Sequence, residues 1–351
     1  GGFISAFGYL VLDKGKIADM NFVDSYELFS MQSEYPPAPA PMEQYMGIQL
    51  LVARDANWSP DLPTAAPEIA RLYTQDSGQQ VDAIITLDLN AVRHLVGALN
   101  ALSVKGVKGP VTAANVESVL VRLWESPPGG GETAATSGLD WWLKRKDFVS
   151  LVAGAAIARI ETGKFDPPTL IGSLTAALDD RSIQVWIDQP QLQKIVAEQG
   201  WDGGLHPETD ADFLAVVDSN VGYNKVNAAI QRQLDYQVTW PDGPDAGAQA
   251  VLTLTYTHPV TPTEAGCDPA PHYGDTYADM IARCYFDYIR VYTPAGSRLV
   301  NVEGIEPQHV TSAAGEQGTQ QFAGYFVVAP SSTKTVRWTY RLPATLTPDT
   351  Y

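Results

Sequence analysis

The sequence has 351 residues, of which 45% are hydrophobic and 18% are charged. This composition is typical of a folded chain that is long enough for two domains. The 23 Lys and Arg against 40 Asp and Glu give a formal net charge of −17, which argues against nucleic acid as a partner. No run of 18 or more apolar residues and no signal-peptide pattern occurs in it.

Up to about Gly204, strand patterns alternate with helix patterns. Phe3 to Leu12 and Ile17 to Val23 flank a turn signal and predict a hairpin. The Pro-rich run 36–41 predicts an extended surface segment, and Asp88 is positioned to cap a helix. Further strands are expected at 49–53, 81–87 and 183–187, and helical segments at 65–75, 88–99, 113–124, 146–160, 168–178 and 191–199. This alternation predicts a three-layer α/β/α domain over residues 1–204.

After Gly204 the pattern changes to alternating polar and apolar residues between Pro and Gly turns. Such a pattern is typical of an antiparallel β-sandwich, and we expect one of immunoglobulin-like type over residues 205–351. Its strands are predicted at 213–217, 233–240, 248–258, 284–292, 322–328 and 335–342. The fold class is therefore α/β plus all-β.

The chain has two cysteines, Cys267 and Cys284. Both lie in the β-rich, loop-bearing part, and an oxidising compartment favours a pair that closes one loop. A disulfide is the prediction; two unrelated buried thiols are the alternative. The five His are scattered and no HExxH or CxxC spacing occurs, so no zinc site is indicated.

The densest polar run is Arg54 to Asp61, between a predicted strand and a predicted helix. Ligands of open α/β sheets bind at such positions. Arg54 could hold a phosphate and Asp55 a divalent metal, with Asn57, Trp58 and Asp61 as further ligand or loop residues. The alternative is a loop fixed by an Arg54–Asp55 ion pair and plugged by Trp58.

Two further clusters carry polar side chains. Lys144, Arg145 and Lys146 form a basic patch after a glycine-rich loop, which suggests an anion site; a solvated helix start is the alternative. Asp218, Asn220 and Asn224 could ligate calcium, or could make Asx turns at the junction between domains.

The beginning of the chain is unusually apolar. We expect Phe3 to Leu12 to lie inside the sheet of the first domain, because natural termini are usually polar and mobile. An upstream strand, or a separate polypeptide such as the N-terminal part of the chain's own precursor, would then pair beside it.

Nearly the whole chain resembles an uncharacterised bacterial envelope family, the domain of unknown function numbered four thousand and twelve. The matching stretches are Gly1–Ile4, Arg54–Asp61, Val81–Ile84 and Val217–Gly222. In that family an arginine-containing segment leads into the Gly-Gly, usually after a membrane helix. The resemblance implies an extracytoplasmic protein at the cell surface or the outer face of the membrane, anchored through an upstream helix.

More remotely, residues 1 to about 200 resemble LytR-CpsA-Psr proteins, which transfer glycopolymers from polyprenyl pyrophosphate carriers. Arg54-Asp55 falls at that family's post-strand Arg-Asp, residues 80–96 are similar to its next strand and helix, and Lys144 to Phe148 match its pyrophosphate-facing helix start. The family's upstream Arg and Asp would precede Gly1, and its regular arginines are not found in the basic helix.

Two functions follow as expectations. The first is a non-catalytic structural or assembly subunit, with other envelope or membrane-complex subunits as partners. The alternative is a phosphotransferase or pyrophosphatase that acts on a lipid-linked glycan. There Arg54 would clamp the pyrophosphate, Asp55 would hold Mg²⁺, and Lys144, Arg145 and Lys146 would bind the pyrophosphate and neutralise charge on the leaving group.

Overall fold

The fold is taken from a computed structural model that describes residues 3–125, 148–240, 247–262, 266–270 and 276–347. Contacts divide the chain into two units. The N-terminal unit comprises Phe3–Pro37 and Leu50–Gly204. The C-terminal unit comprises Ala38–Gln49 and the chain from Leu205 onward.

The N-terminal unit begins with the predicted hairpin. Strands β1 (Ala6–Asp13) and β2 (Lys16–Asp24) pair antiparallel around a two-residue loop. Lys14 and Gly15 in that loop have φ of 51° and 77°, the left-handed backbone that tight hairpins require.

The hairpin is not embedded in a larger sheet. Within the described ranges β1 has β2 as its one strand neighbour, and the side chain of Leu12 is 63% exposed. The expectation that Phe3 to Leu12 lie inside a sheet is therefore wrong for these residues. Apolar character predicted the strand correctly, but it carries no information on how many neighbours a strand has.

The helices begin and end at recognisable signals. Helix α1 is Ala40–Met46, α2 is Leu62–Ser77 and α3 is Leu89–Ala98. Asp88 caps α3 as predicted, since its carboxylate accepts from Ala91 N at 2.9 Å. The remaining helices of the N-terminal unit are α4 (Val116–Glu125), α5 (Phe148–Glu161), α6 (Pro167–Asp179) and α7 (Pro190–Glu198).

The predicted strands at 81–87 and 183–187 are β3 (Ala83–Leu87) and β4 (Ile183–Ile187). They pair antiparallel, as a two-stranded sheet. Ile85 and Leu87 are 59% and 57% exposed, so β3 is covered on one face, whereas a parallel sheet between two helical layers is buried on both. The unit is mixed α/β, but the described residues do not form one three-layer α/β/α sheet.

The C-terminal unit is β-rich and fully antiparallel. One sheet has the order β10-β11-β8-β5 and the other β6-β7-β12-β9. The inward residues of both sheets share one core, in which Phe322 and Trp338 are fully buried. The strands are β5 (Ala215–Asn220), β6 (Gln231–Thr239), β7 (Gln249–His258), β8 (Tyr285–Thr293), β9 (Arg298–Glu303), β10 (Val310–Ala314), β11 (Gln320–Val328) and β12 (Ser332–Arg341); the short helix α8 (Tyr277–Ile281) precedes β8.

Helix α1 packs within the C-terminal unit, although its sequence lies near the start of the chain. The ring of Tyr45 stacks on Tyr325 with centroids 4.1 Å apart, and its hydroxyl lies 3.0 Å from Nδ1 of His309. Tyr223 donates its hydroxyl proton to the carbonyl of Met46 at 2.7 Å. The Pro-rich run predicted as an extended surface segment thus continues into a helix start, where proline is well tolerated.

The predicted disulfide is confirmed. Cys267 and Cys284 are bonded, with their Cα atoms 5.4 Å apart. The bond joins an exposed loop to the buried residue that precedes β8. A disulfide is typical of an oxidising, extracytoplasmic environment. None of the helices that the structure describes combines the length and the apolar character needed to cross a bilayer.

Candidate functional site

The Arg54–Asp55 pair lies in a 3₁₀ turn, Ala53–Asp55, where a strand was predicted over 49–53. Asp55 is 2% exposed, and Nε of Arg54 lies 3.6 Å from its Oδ1. The Arg54 guanidinium also stacks over the ring of Tyr26, 4.4 Å from the centroid. The Arg54 carbonyl accepts from Ile4 N at 2.9 Å. The pair is therefore tied into the N-terminal unit on several sides.

Burial governs the acidity of Asp55. Desolvation raises the pKa of Asp55 to about 6, against the opposing effect of Arg54. Its second oxygen, Oδ2, is buried and has no hydrogen-bond partner among the described residues. The carboxylate therefore exchanges its proton just below neutral pH, in a place that water scarcely reaches.

The Mg²⁺ site expected at Asp55 stays a prediction. Mg²⁺ needs an octahedral set of oxygen ligands, usually with more than one carboxylate or phosphate group. In the part of the chain that the structure describes, no group of three or more His, Cys, Asp or Glu could hold a metal ion. The positive charge of Arg54 beside the carboxylate opposes a cation further.

The rest of this polar run serves the local fold. Asp61 is fully buried and is the N-cap of α2: its carboxylate accepts from the backbone N of Thr64 at 3.0 Å. Asn57 and Trp58 are half-buried between these two points and have contacts of their own. Lys144, Arg145 and Lys146 lie outside the described residues, so the predicted pyrophosphate site stays a prediction.

Asn220 and Asn224 make Asx turns, which was one of the two predictions for their cluster. Oδ1 of Asn220 accepts from Gly222 N at 3.0 Å, and Oδ1 of Asn224 accepts from Val226 N at 3.1 Å. Asn220 also donates to Oδ1 of Asn224 at 2.8 Å. Both Oδ1 atoms already accept hydrogen bonds from the backbone, so they are poorly placed to ligate a calcium ion as well.

Asp218 takes part in a polar cluster in the core of the C-terminal unit. Tyr256 donates its hydroxyl proton to Oδ1 of Asp218 at 2.7 Å, and Nε of Arg232 lies 2.6 Å from its Oδ2. Asp218 is mostly buried, while the Arg232 side chain is 40% exposed. One end of the cluster therefore reaches solvent and the other ends in the apolar core.

The buried end is Asp287, which was not predicted as a site residue. It is fully buried on β8, and its Oδ1 accepts from Ser219 N at 3.0 Å and from the Tyr285 hydroxyl at 3.1 Å. Burial, and next the neighbouring carboxylate of Asp218, raise the pKa of Asp287 well above its ordinary value. The two neighbouring carboxyl groups therefore favour keeping one proton between them, with Arg232 beside Asp218.

A sequence signal for this cluster exists. Strand β8 reads Tyr-Phe-Asp-Tyr-Ile-Arg-Val-Tyr-Thr, and all nine of its residues are buried. An aspartate within so apolar a strand has to be neutral or paired, because an isolated buried charge is too costly. The identity of its partners could not be read from the sequence, since strand β5 and strand β8 are far apart along the chain.

Comparison with known proteins finds a match to a family model. No curated protein and no solved structure matches the chain. Residues 1–123 match the family model described as "Protein of unknown function (DUF4012)". The resemblance drawn from the residues is thereby confirmed for this part of the chain, which contains the Arg54–Asp61 run.

Proposed function

We propose that this protein is an extracytoplasmic, non-catalytic structural or assembly subunit of the bacterial cell envelope. The observation that supports this most is the state of Arg54 and Asp55. A catalytic pair must present its charges to a substrate, whereas here the carboxylate is 2% exposed and the guanidinium is occupied by Asp55 and Tyr26. The pair is built as an internal brace.

The location and the finer fold belong to the same proposal. The Cys267–Cys284 disulfide supports an oxidising compartment. The proposal includes anchorage through a membrane helix upstream of Gly1 and other envelope subunits as partners. It also includes a LytR-CpsA-Psr-like α/β domain for residues 1–204 and an immunoglobulin-like β-sandwich domain for residues 205–351.

The test is a direct search for the alternative activity. The protein is incubated with a polyprenyl pyrophosphate and Mg²⁺, and phosphate release and glycan transfer are measured beside a calorimetric titration of the same lipid. We expect no turnover above the protein-free blank and equal heats for wild type and Arg54→Ala. Mg²⁺-dependent turnover that Arg54→Ala abolishes, with normal thermal unfolding of the variant, would sink the proposal in favour of the enzyme.

A brace of this kind also makes stability depend on pH. Because the pKa of Asp55 is raised from 3.8 to about 6, its protonated form stabilises the fold below pH 4, and this contribution is lost as the pH rises through 6. The loss from this one group is at most about 3 kcal/mol.

Asp55→Asn should therefore flatten the pH dependence of the free energy of unfolding. The measurement is urea unfolding at several pH values between about 4 and 8. Asp82→Asn is the matched control, since Asp82 is exposed at the start of β3. Curves for wild type and Asp55→Asn that stay parallel over this range would contradict the assignment of the shift to Asp55.

A further inference from the structure

The outward face of the sheet β6-β7-β12-β9 is a regular array of hydroxyl and amide side chains. Register places the outward residues in five rows across the strands, and three of these rows carry no charge: Gln231–Thr257–Thr333, Gln233–Thr255–Thr335 and Gln237–Val251–Thr339–Asn301. The hydroxyls of Thr257 and Thr333 are 3.1 Å apart, and those of Thr255 and Thr335 are 3.4 Å apart. Five such rows span about 27 Å along the strands and about 14 Å across them.

The charge of this face differs from that of the chain. The whole chain has a net charge of −17, yet the outward positions of the four strands hold three arginines against Asp235 and Glu303. One arginine, Arg337, pairs with Glu303 at 3.5 Å. The face is thus locally positive on a strongly acidic protein.

The two other arginines lie directly opposite each other. Arg341 on β12 is the register partner of Arg298 on β9, and both are exposed. Neither makes an ion pair with any residue in the described ranges. Like charges directly opposite on neighbouring strands are destabilising, so this pair costs the free protein stability that a bound anion would restore.

We propose that this face binds an anionic glycan, whose carboxylate or phosphate groups sit on Arg298 and Arg341 and whose hydroxyls meet the Thr and Gln rows. The arginine pair accounts for the negative charge of the ligand, because guanidinium groups bind carboxylate and phosphate through paired hydrogen bonds. The uncharged rows account for its polyhydroxyl character, since each Thr hydroxyl and Gln amide both donates and accepts. This face belongs to the C-terminal unit and Arg54 to the N-terminal unit, and the proposal does not depend on the non-catalytic role.

The test uses polygalacturonate as the acidic glycan, dextran as the neutral one and inorganic polyphosphate as an anion without sugar. Binding to the intact chain is measured at low and high salt. We expect the affinity to be highest for polygalacturonate, lower for polyphosphate and lowest for dextran. Binding of the anionic ligands should weaken as salt screens the arginines. Arg298→Ser/Arg341→Ser should weaken polygalacturonate binding about tenfold or more. Thr255→Val/Thr335→Val should weaken the binding of polygalacturonate but not the binding of polyphosphate.

The control is Arg93→Ser/Arg181→Ser, which removes the same charge from exposed positions of the N-terminal unit. Thermal unfolding of every variant shows whether it is folded. The proposal is overturned if both double arginine variants lose binding equally, or if polyphosphate binds as tightly as polygalacturonate. A wild type that is dimeric while Arg298→Ser/Arg341→Ser is monomeric would also overturn it, since a second copy of the chain would then cover this face.

Discussion

Asp287→Ala is expected to lower the free energy of unfolding at neutral pH by about 3–5 kcal/mol. The carboxyl accepts from Ser219 N and from the Tyr285 hydroxyl in a place without solvent. Each donor left without an acceptor costs roughly 1–3 kcal/mol, and the lost side chain leaves a cavity as well. Asp218 also loses the proton that it shares. Urea unfolding followed by tryptophan fluorescence measures the change.

Asp287→Asn is the matched variant, because its amide keeps an acceptor for the two donors and a donor for Asp218. We expect it to unfold within about 1 kcal/mol of wild type at neutral pH. The raised pKa of Asp287 means that wild type loses stability as the pH rises above the ordinary carboxyl range, because there the unfolded chain releases this proton while the folded chain still holds it. Asp287→Asn should not show this loss. Equal effects of Ala and Asn at neutral pH would show that the shared proton and its hydrogen bonds contribute nothing.

Removing the disulfide should lower the free energy of unfolding by about 3 kcal/mol. Cys267 and Cys284 are 17 residues apart, and closing a loop of this length restricts the unfolded chain by that amount. Cys267→Ser/Cys284→Ala fits the two environments, since Cys267 is exposed and Cys284 is buried. Chemical denaturation of this variant, beside wild type with and without reductant, gives the difference.

Reduced wild type serves as the internal control for this experiment. It should match the double variant closely, because both lack the cross-link. If the double variant is as stable as oxidised wild type, the bond does not restrict the unfolded chain in the way supposed. If it is less stable than reduced wild type, the substituted side chains rather than the bond account for part of the loss.

The sequence predicted local structure well and pairing poorly. Period-two patterns located six of the eight described C-terminal strands, where side chains alternate clearly, such as Ala250 to Tyr256 on β7. They gave no sign of β9 and β10, whose residues are mostly exposed. The strands at 81–87 and 183–187 were also found. Their antiparallel pairing depends on contacts across about a hundred residues, which no local pattern encodes.

The polar clusters follow the same rule. Arg54 and Asp55 were found because they are adjacent, and the ion pair that was their structural alternative is present. Asp218 was singled out for the wrong partners: Asn220 and Asn224 are its sequence neighbours, whereas its own partners, Tyr256 and Arg232, come from other strands. A buried network assembled from four strands is visible only when the strands are in place.

The position of helix α1 has a consequence for the order of events during synthesis. Tyr45 leaves the ribosome well before the strands that carry Tyr288 and Tyr325, whose rings contact its own. At roughly 5–20 residues per second that interval lasts tens of seconds. Met42 and Met46 are both buried in the finished unit, and most of that unit follows them in the chain. Helix α1 can therefore complete its packing only after β8 and β11 have been made.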